Sequence, residues 1–179
     1  MGAPADCIYA TIYYAHHEIK KLLPIYKNNI LFCKIFTDNM FSIWTPSDDP
    51  NAWKNFKENL PFGIPEWEVE ERTTSVNFLD LTISINKDRK IKTRTYQKEI
   101  KLYLYLPLTS SHLLSLIRGM IYGMLRNYDE QNNYRKHYIE TTVLLFQRLA
   151  TRGWDTALLQ SIFNDGFKKF QTNCHSKTQ

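Results

Sequence analysis

The sequence has only three cysteines, and their spacing argues against most structural uses of a thiol. Cys7, Cys33 and Cys174 are odd in number and far apart, so they predict neither a disulfide framework nor a Cys-x-x-Cys zinc motif. This usage is typical of a reducing compartment. We therefore expect an intracellular protein, with the nucleus and the cytoplasm both left open.

Long apolar runs are also missing. No stretch of 18 apolar residues occurs in the 179-residue chain, so we expect no membrane span. The start, Met1-Gly2-Ala3-Pro4, has no basic region followed by an apolar run and so predicts no signal peptide. Only 6 glycines and 7 prolines accompany 43% hydrophobic and 14% aromatic residues, which predicts a packed core rather than disorder.

Acidic residues are scarce in the middle of the chain. Residues 1–86 carry 7 basic and 11 acidic side chains, whereas residues 87–152 carry 13 basic and 5 acidic ones. A concentrated positive segment is what a surface for a polyanion needs. A solvated basic face without a partner explains the charge alone equally well.

The first half of the sequence predicts a helix, a β-hairpin and a shorter helix. The helix covers Ala5–Leu23, the hairpin strands cover residues 29–36 and 40–44, and the shorter helix covers residues 50–60. Pro24 is expected to end the first helix, and Asp49 is expected to cap the second one.

The second half predicts another hairpin and then only helices. One strand is expected over residues 76–85 and its basic partner over residues 90–96, joined by a turn at 86–89. Three helices are expected to begin at Ser110 or Ser111, at Tyr134, and at Asp155 or Thr156. The predicted class is therefore α+β, with an α/β layer followed by an all-α subdomain.

Five short motifs occur in a characteristic order. Gly2-Ala3-Pro4 precedes the first helix, and Phe36-Thr37-Asp38-Asn39 spans the first hairpin turn. Phe78-Leu79-Asp80 lies in the first strand of the second hairpin, Tyr96-Gln97-Lys98 begins at the end of its second strand, and Ile117-Arg118-Gly119 lies in the helical part. In this order and spacing they resemble a reverse transcriptase of the Penelope-like retroelement type. The chain looks like the C-terminal palm and thumb portion of such an RNA-directed DNA polymerase.

The resemblance implies a domain layout. Residues 1–106 would form a partial palm built from a helix and β-hairpins. Residues 107–171 would form a thumb-like helical subdomain, and residues 172–179 a frayed tail.

The resemblance also implies a catalytic hairpin. In the family this turn usually carries two Asp residues, of which the first binds Mg²⁺. Asp38 would be the catalytic metal ligand, and Asn39 stands at the degenerate second position, where one negative charge is missing. Outside the resemblance, Asp38 is more simply explained as a turn residue, with Asn39 taking a positive φ.

The family's fingers and its first palm carboxylate have no match in these 179 residues. We therefore expect the polypeptide to be inactive alone. The alternative is a non-catalytic nucleic-acid-binding protein or a structural remnant of a retroelement.

The expected partners are an RNA template and a DNA primer, held as an RNA–DNA duplex, with no membrane and no small-molecule cofactor beyond the dNTP and the metal. By the resemblance, Gly2 and Pro4 would contact template and nucleotide. Candidate duplex-binding residues are basic, and Lys90, Lys92 and Arg94 share one face of the predicted strand because they are two residues apart. The full set is Lys90, Lys92, Arg94, Lys98 and Arg118.

Overall fold

The computed structural model describes residues 6–17, 20, 23–37, 39–45, 49–60, 67–98 and 114–170. The chain divides into two compact units, an N-terminal unit of residues 1–73 and a C-terminal unit of residues 74–179. Across the described residues there are six helices and two small antiparallel sheets. The coarse class, α+β, is therefore confirmed, whereas its interpretation as palm and thumb stays a prediction.

The N-terminal unit consists of helices around one hairpin. Its elements are α1 (Asp6–His17), α2 (Leu23–Tyr26), β1 (Ile30–Phe36), β2 (Asn39–Trp44) and α3 (Ala52–Asn59). Pro24 does not end a helix as expected; it lies in the first turn of α2, where its missing N–H leaves no bond unmade. Asp49 does not occupy the cap position of α3, which is Asn51; its carboxylate instead accepts the Asn51 N–H at 2.9 Å.

Aromatic side chains form the core of this unit. Tyr26 and Phe56 are buried and meet edge to face at 5.2 Å between ring centroids. Trp44 packs on Phe56 at 5.1 Å, and Trp53 stacks on the same ring at 5.5 Å. A hairpin and a short helix bury little aliphatic surface, so large rings supply most of the apolar contact.

Polar contacts link α3 to the segment that follows it. The Lys57 ammonium and the Trp53 indole N–H both donate to the Glu71 carboxylate. These two hydrogen bonds, with that of Lys57 the stronger influence, hold the pKa of Glu71 below its usual value. The segment after α3 is thereby attached to the helix.

The C-terminal unit begins with a three-stranded sheet and continues as three helices. The strands are β3 (Ser75–Phe78), β4 (Leu81–Ile85) and β5 (Ile91–Thr95), in that spatial order. The helices are α4 (Leu114–Gln131), α5 (Arg135–Thr151) and α6 (Thr156–Phe170). The sheet thus belongs to the same compact unit as the helices. The domain boundary predicted at 106–107, the predicted caps Ser110 and Ser111, and the predicted frayed tail 172–179 lie outside the described residues.

The single strand predicted over residues 76–85 is wrong, because β3 and β4 are two strands joined by a two-residue turn. Phe78 pairs with Leu81, and Leu79 takes a φ of 56° between them. The Asp80 carbonyl accepts the Tyr96 N–H at 2.8 Å, which fixes the turn to the end of β5. A branched side chain at positive φ is unfavourable, so the turn depends on such supporting contacts.

Nine residues form the buried core of the helical bundle. They come from all three helices and from the α5–α6 connection: Ile117, Ile121, Leu125, Leu145, Leu149, Trp154, Leu159, Ile162 and Phe163. The helical spacing of the sequence predicts one apolar stripe on α5, and of its members Tyr138, Thr142, Leu145 and Leu149 are buried whereas Phe146 is partly buried. Gly166 on α6 lies directly against Leu125, where an added Cβ would collide with a methyl group of that leucine.

Gly153 ends α5, and α6 begins at Thr156, one of the two starts expected from the sequence. Gly153 has a φ of 86° just after α5, a conformation that glycine adopts without steric cost. Asp155 accepts the backbone N–H groups of Ala157 at 3.1 Å and Leu158 at 3.4 Å, so it caps α6. Within the described residues, no helix is long and apolar enough to cross a membrane.

Neighbouring leucines on α5 provide a matched test of the core. Leu145 is 0% exposed, whereas Leu144 is 37% exposed. We expect Leu145→Ala to lower the free energy of unfolding by about 2–5 kcal/mol, because it removes buried methyl groups and leaves a cavity. Leu144→Ala should cost less than about 1 kcal/mol. Equal losses in urea denaturation would contradict this orientation of α5.

Candidate nucleic-acid interface

One face of the three-stranded sheet is polar across all three strands. Backbone pairing aligns Ser75, Ser84 and Lys92 in one row and Asn77, Thr82 and Arg94 in the next. Side chains two residues apart on a strand share a face, so these six residues point to the same side. The intervening positions of β3 and β4 carry the apolar residues, and the alternation gives the sheet two chemically different faces.

A cavity of about 320 Å³ opens on this polar face. Its wall is formed by the sheet and by the start of α5: Ser75, Thr82, Ser84, Lys92, Thr93, Arg94, Tyr134 and His137. Two cations and several hydroxyl groups line it, and none of these lining residues is acidic. Such a lining attracts anions, because no carboxylate offsets the positive charge.

The start of α5 contributes two rings to the cavity. The Lys92 Nζ lies 4.8 Å from the centroid of the Tyr134 ring, a cation–π distance that holds the ammonium group beside the helix. Tyr134 and His137 meet edge to face at 5.7 Å. The His137 Nδ1 is shielded from water and has no hydrogen-bond partner among the described residues.

The α4–α5 connection holds β5 in place through side-chain amides. Asn133 donates its N–H to the Thr93 carbonyl at 3.1 Å, and its side-chain oxygen accepts the Thr93 N–H. Asn132, 1% exposed, accepts the Thr95 N–H at 3.1 Å and donates to the Thr95 hydroxyl at 2.8 Å. These bonds satisfy backbone N–H and C=O groups on the outer edge of β5, which no strand of the described residues pairs.

The structure brings together two of the five predicted duplex-binding residues. Lys92 and Arg94 line the cavity. Lys90 precedes β5 and Lys98 follows it; both are exposed, and neither belongs to the cavity wall. Arg118 lies on α4 and forms an ion pair with Asp165 at 2.9 Å, so its charge is balanced there rather than presented at the cavity.

The predicted catalytic hairpin is described only in part. Asp38, Gly2 and Pro4 lie outside the described residues, so the metal ligand and the template contacts stay predictions. Asn39 is the first residue of β2, exposed and paired with Phe36. The sequence assigns a positive φ to Asn39 in the simpler explanation of this turn, but among the turn's described residues it is Thr37 that has one, at 56°.

The described residues hold no cluster of potential metal ligands. In those parts of the chain, no group of three or more His, Cys, Asp or Glu side chains is close enough to hold a metal ion. Asn39 supplies a neutral amide, which is a weaker ligand for Mg²⁺ than a carboxylate. We therefore assign no catalytic step to this hairpin.

Sequence reasoning missed most of the cavity wall. The hydroxyl residues Thr82 and Ser84 alternate with apolar ones, and that pattern could have identified them once the strand register was known. Tyr134 and His137 follow Lys92 by some forty residues, and the sequence holds no signal that joins them to β5.

Comparison with protein-family models, with curated proteins and with solved structures found no match. The function is therefore argued from the motifs and from the geometry of the C-terminal unit.

The amide contacts of β5 are testable by a pair of asparagine variants. Asn132→Ala removes the acceptor of the buried Thr95 N–H, and we expect a loss of about 1–3 kcal/mol in the free energy of unfolding. Asn127→Ala, at an exposed position on α4, should change it by about 0.5 kcal/mol or less. Hydrogen exchange of the Thr95 amide should accelerate in the first variant only; unchanged exchange would show that Asn132 does not hold β5.

Proposed function

We propose that this chain is the C-terminal palm and thumb portion of a reverse transcriptase, and that it binds the backbone of an RNA–DNA duplex. The observation that carries the proposal is the polar sheet face, where Lys92 and Arg94 line a cavity without acidic residues. The ordered motifs that resemble the family support the same conclusion.

The spacing of the two cations suits a sugar-phosphate backbone. Residues two apart on a β-strand are separated by about 6.8 Å, which is close to the distance between consecutive phosphates of one strand. The cation–π contact with the Tyr134 ring restricts where the Lys92 ammonium group can move. A positioned cation loses less side-chain entropy on binding than a mobile one does.

Backbone contacts of this kind give affinity without sequence recognition. Phosphate binding releases condensed counterions, so it weakens as the salt concentration rises. Hydroxyl groups and cations along a sheet recognise the shape of an A-form helix rather than its bases. A polymerase that copies any template needs to bind the duplex in this way. Its separate palm and thumb portion would bind the duplex in the same way.

In the proposed intact enzyme, Asp38 would hold Mg²⁺, and the ion would stabilise charge on the transferred phosphoryl group. Because Asn39 stands where the family usually has a second Asp, the turn would carry one negative charge fewer. This substitution favours the second candidate, a non-catalytic nucleic-acid-binding protein or a structural remnant of a retroelement. The enzyme portion and a non-catalytic binding protein would share the binding surface and differ in catalysis, whereas a structural remnant would have neither activity.

The duplex-binding surface predicts a salt-dependent affinity. We expect the chain to bind an RNA–DNA duplex with a Kd of about 10⁻⁴–10⁻⁶ M near physiological salt. The double variant Lys92→Gln, Arg94→Gln should bind more weakly, and its slope of log K against log salt should be shallower by about 2, because two phosphates are no longer neutralised. Fluorescence anisotropy across a salt series measures both quantities.

The control variant also removes two positive charges, but elsewhere in the C-terminal unit. Arg126 and Lys168 are exposed on α4 and α6, and neither lines the cavity. Arg126→Gln with Lys168→Gln should leave the salt slope nearly unchanged. Equal slopes in the two double variants would mean that net charge, rather than the cavity, determines binding.

Primer extension separates binding from catalysis. Because the family's fingers and first palm carboxylate have no match in these 179 residues, and Asn39 replaces the usual second Asp, we expect no templated incorporation of dNTP by this polypeptide in Mg²⁺ or Mn²⁺. An RNA-templated, primed DNA assay with single-nucleotide resolution is the measurement. Detectable incorporation would refute the expected inactivity and would favour the first candidate over the second.

A further inference from the structure

We propose that Ser75 is a phosphorylation site, and that its phosphate pairs with the cations of the cavity and so blocks binding of the duplex. The modifying partner is an ATP-dependent serine/threonine protein kinase that recognises an arginine before the target hydroxyl. The effect on the duplex rests on the proposed function. The modification of Ser75 and its contact with the cations do not.

Ser75 presents the accessible aliphatic hydroxyl of the cavity wall. It is exposed, whereas Thr82, Ser84 and Thr93 are each partly buried. The hydroxyl groups of those three each donate a hydrogen bond within the unit. A kinase must place the hydroxyl oxygen in line with the γ-phosphorus of ATP, so accessibility favours Ser75 as the acceptor.

The backbone at Ser75 is extended and lies at the end of an edge strand. Ser75 is the first residue of β3, and residues 67–74 before it form neither helix nor strand. Among the described strands, β3 pairs with β4 alone. The end of such a strand opens at a small cost in free energy. The segment can therefore enter the groove of a kinase while the rest of the unit stays folded.

An arginine stands three residues before Ser75. Arg72 is exposed, and its guanidinium lies 5.3 Å from the centroid of the Trp53 ring, a cation–π contact that the carboxylates of a kinase can replace. Kinases select their substrates partly by such charge patterns. In the whole sequence, the arginines followed three residues later by serine or threonine are Arg72 and Arg148.

The second of these arginines provides an internal control. Thr151 follows Arg148 by three residues and is exposed, as Ser75 is. Thr151 belongs to the last turn of α5, and its hydroxyl donates to the Gln147 carbonyl at 2.8 Å. The helix would have to unwind before phosphoryl transfer. We therefore expect phosphate on Ser75 and not on Thr151.

The cavity supplies the opposite charge for a phosphate on Ser75. Backbone pairing places Ser75, Ser84 and Lys92 in one row across the sheet, so the backbones of Ser75 and Lys92 are about 10 Å apart. A phosphoserine side chain and a lysine side chain together span this distance. Among the described residues, neither Lys92 nor Arg94 forms an ion pair with a carboxylate.

Phosphoryl transfer reverses the charge balance of the cavity. The Ser75 oxygen forms a bond to the γ-phosphorus of ATP while the bond from that phosphorus to the β–γ bridging oxygen breaks. ADP leaves, and the serine proton passes through the base of the kinase to solvent. The product carries a charge of about −1.5 to −2 near neutral pH, which offsets the charges of Lys92 and Arg94.

Labelling of the full chain with Mg-ATP and an arginine-directed serine/threonine kinase tests the site. Mass spectrometry of the resulting peptides should place the phosphate on Ser75, and Arg72→Gln should reduce its incorporation. The matched control is Arg148→Gln, which should leave incorporation at Ser75 unchanged. A chain that carries no phosphate at Ser75, or as much at Thr151, overturns the proposal.

Phosphorus NMR tests the contact with the cations without any duplex. The second pKa of the phosphate should be lower in the folded chain than in a phosphorylated peptide of residues 70–80, because Lys92 and Arg94 favour the dianion. In the double variant Lys92→Gln, Arg94→Gln this pKa should return to that of the peptide. The same pKa in chain and peptide would show that the phosphate does not reach the cations.

Fluorescence anisotropy measures the effect on the duplex. We expect the phosphorylated chain to bind on the order of 10-fold more weakly than the unmodified one, with a salt slope shallower by about 2. In the double variant Lys92→Gln, Arg94→Gln, phosphorylation should cause little further loss. Equal affinity of the phosphorylated and unmodified chains overturns the block. An unmodified chain that binds no duplex at low salt refutes the proposed function, and labelling and phosphorus NMR then decide the site by themselves.

Discussion

The pairing of β5 with side-chain amides is the interaction on which the C-terminal unit depends. An edge strand exposes backbone groups that must bond to something, and here Asn132 and Asn133 satisfy those of Thr93 and Thr95. Asn133 acts as a residue of a neighbouring strand would, because its N–H and its side-chain oxygen bond to the same residue. The contact attaches the sheet to the α4–α5 connection, and the cavity exists because Tyr134 and His137 follow directly.

The secondary structure of the chain is largely predictable from periodicity, because amphipathic elements repeat their apolar residues at fixed intervals. The turn between β3 and β4 is not predictable by that reasoning. Leu79 and Asp80 interrupt ten residues that resemble one strand, and leucine rarely takes a φ of 56°. What makes the turn acceptable is a long-range contact, the Tyr96 N–H bonded to the Asp80 carbonyl, and local sequence carries no sign of it.

The candidate site is predictable only where a single strand defines it. Lys92 and Arg94 share a face because of the two-residue period, and this holds for any β-strand. To predict that the polar side chains of β3 and β4 lie in rows, one must know the register between these two strands. To predict that Tyr134 and His137 join the cavity, one must know that α5 packs against β5. The role of Asp38 as a metal ligand stays a prediction, because Asp38 lies outside the described residues.

Net charge locates a binding surface poorly, and the C-terminal unit illustrates why. Residues 87–152 contain 13 basic side chains, yet Arg118, Arg126 and Lys136 each lie beside a carboxylate. Such exposed ion pairs contribute little to stability, about 0–1 kcal/mol each, but they reduce the local positive potential. The cavity wall has no acidic residue, so no carboxylate of the lining offsets the charge of Lys92 and Arg94. A polyanion responds to such a local excess rather than to the total, so the total charge of the unit does not identify which of its surfaces would bind one.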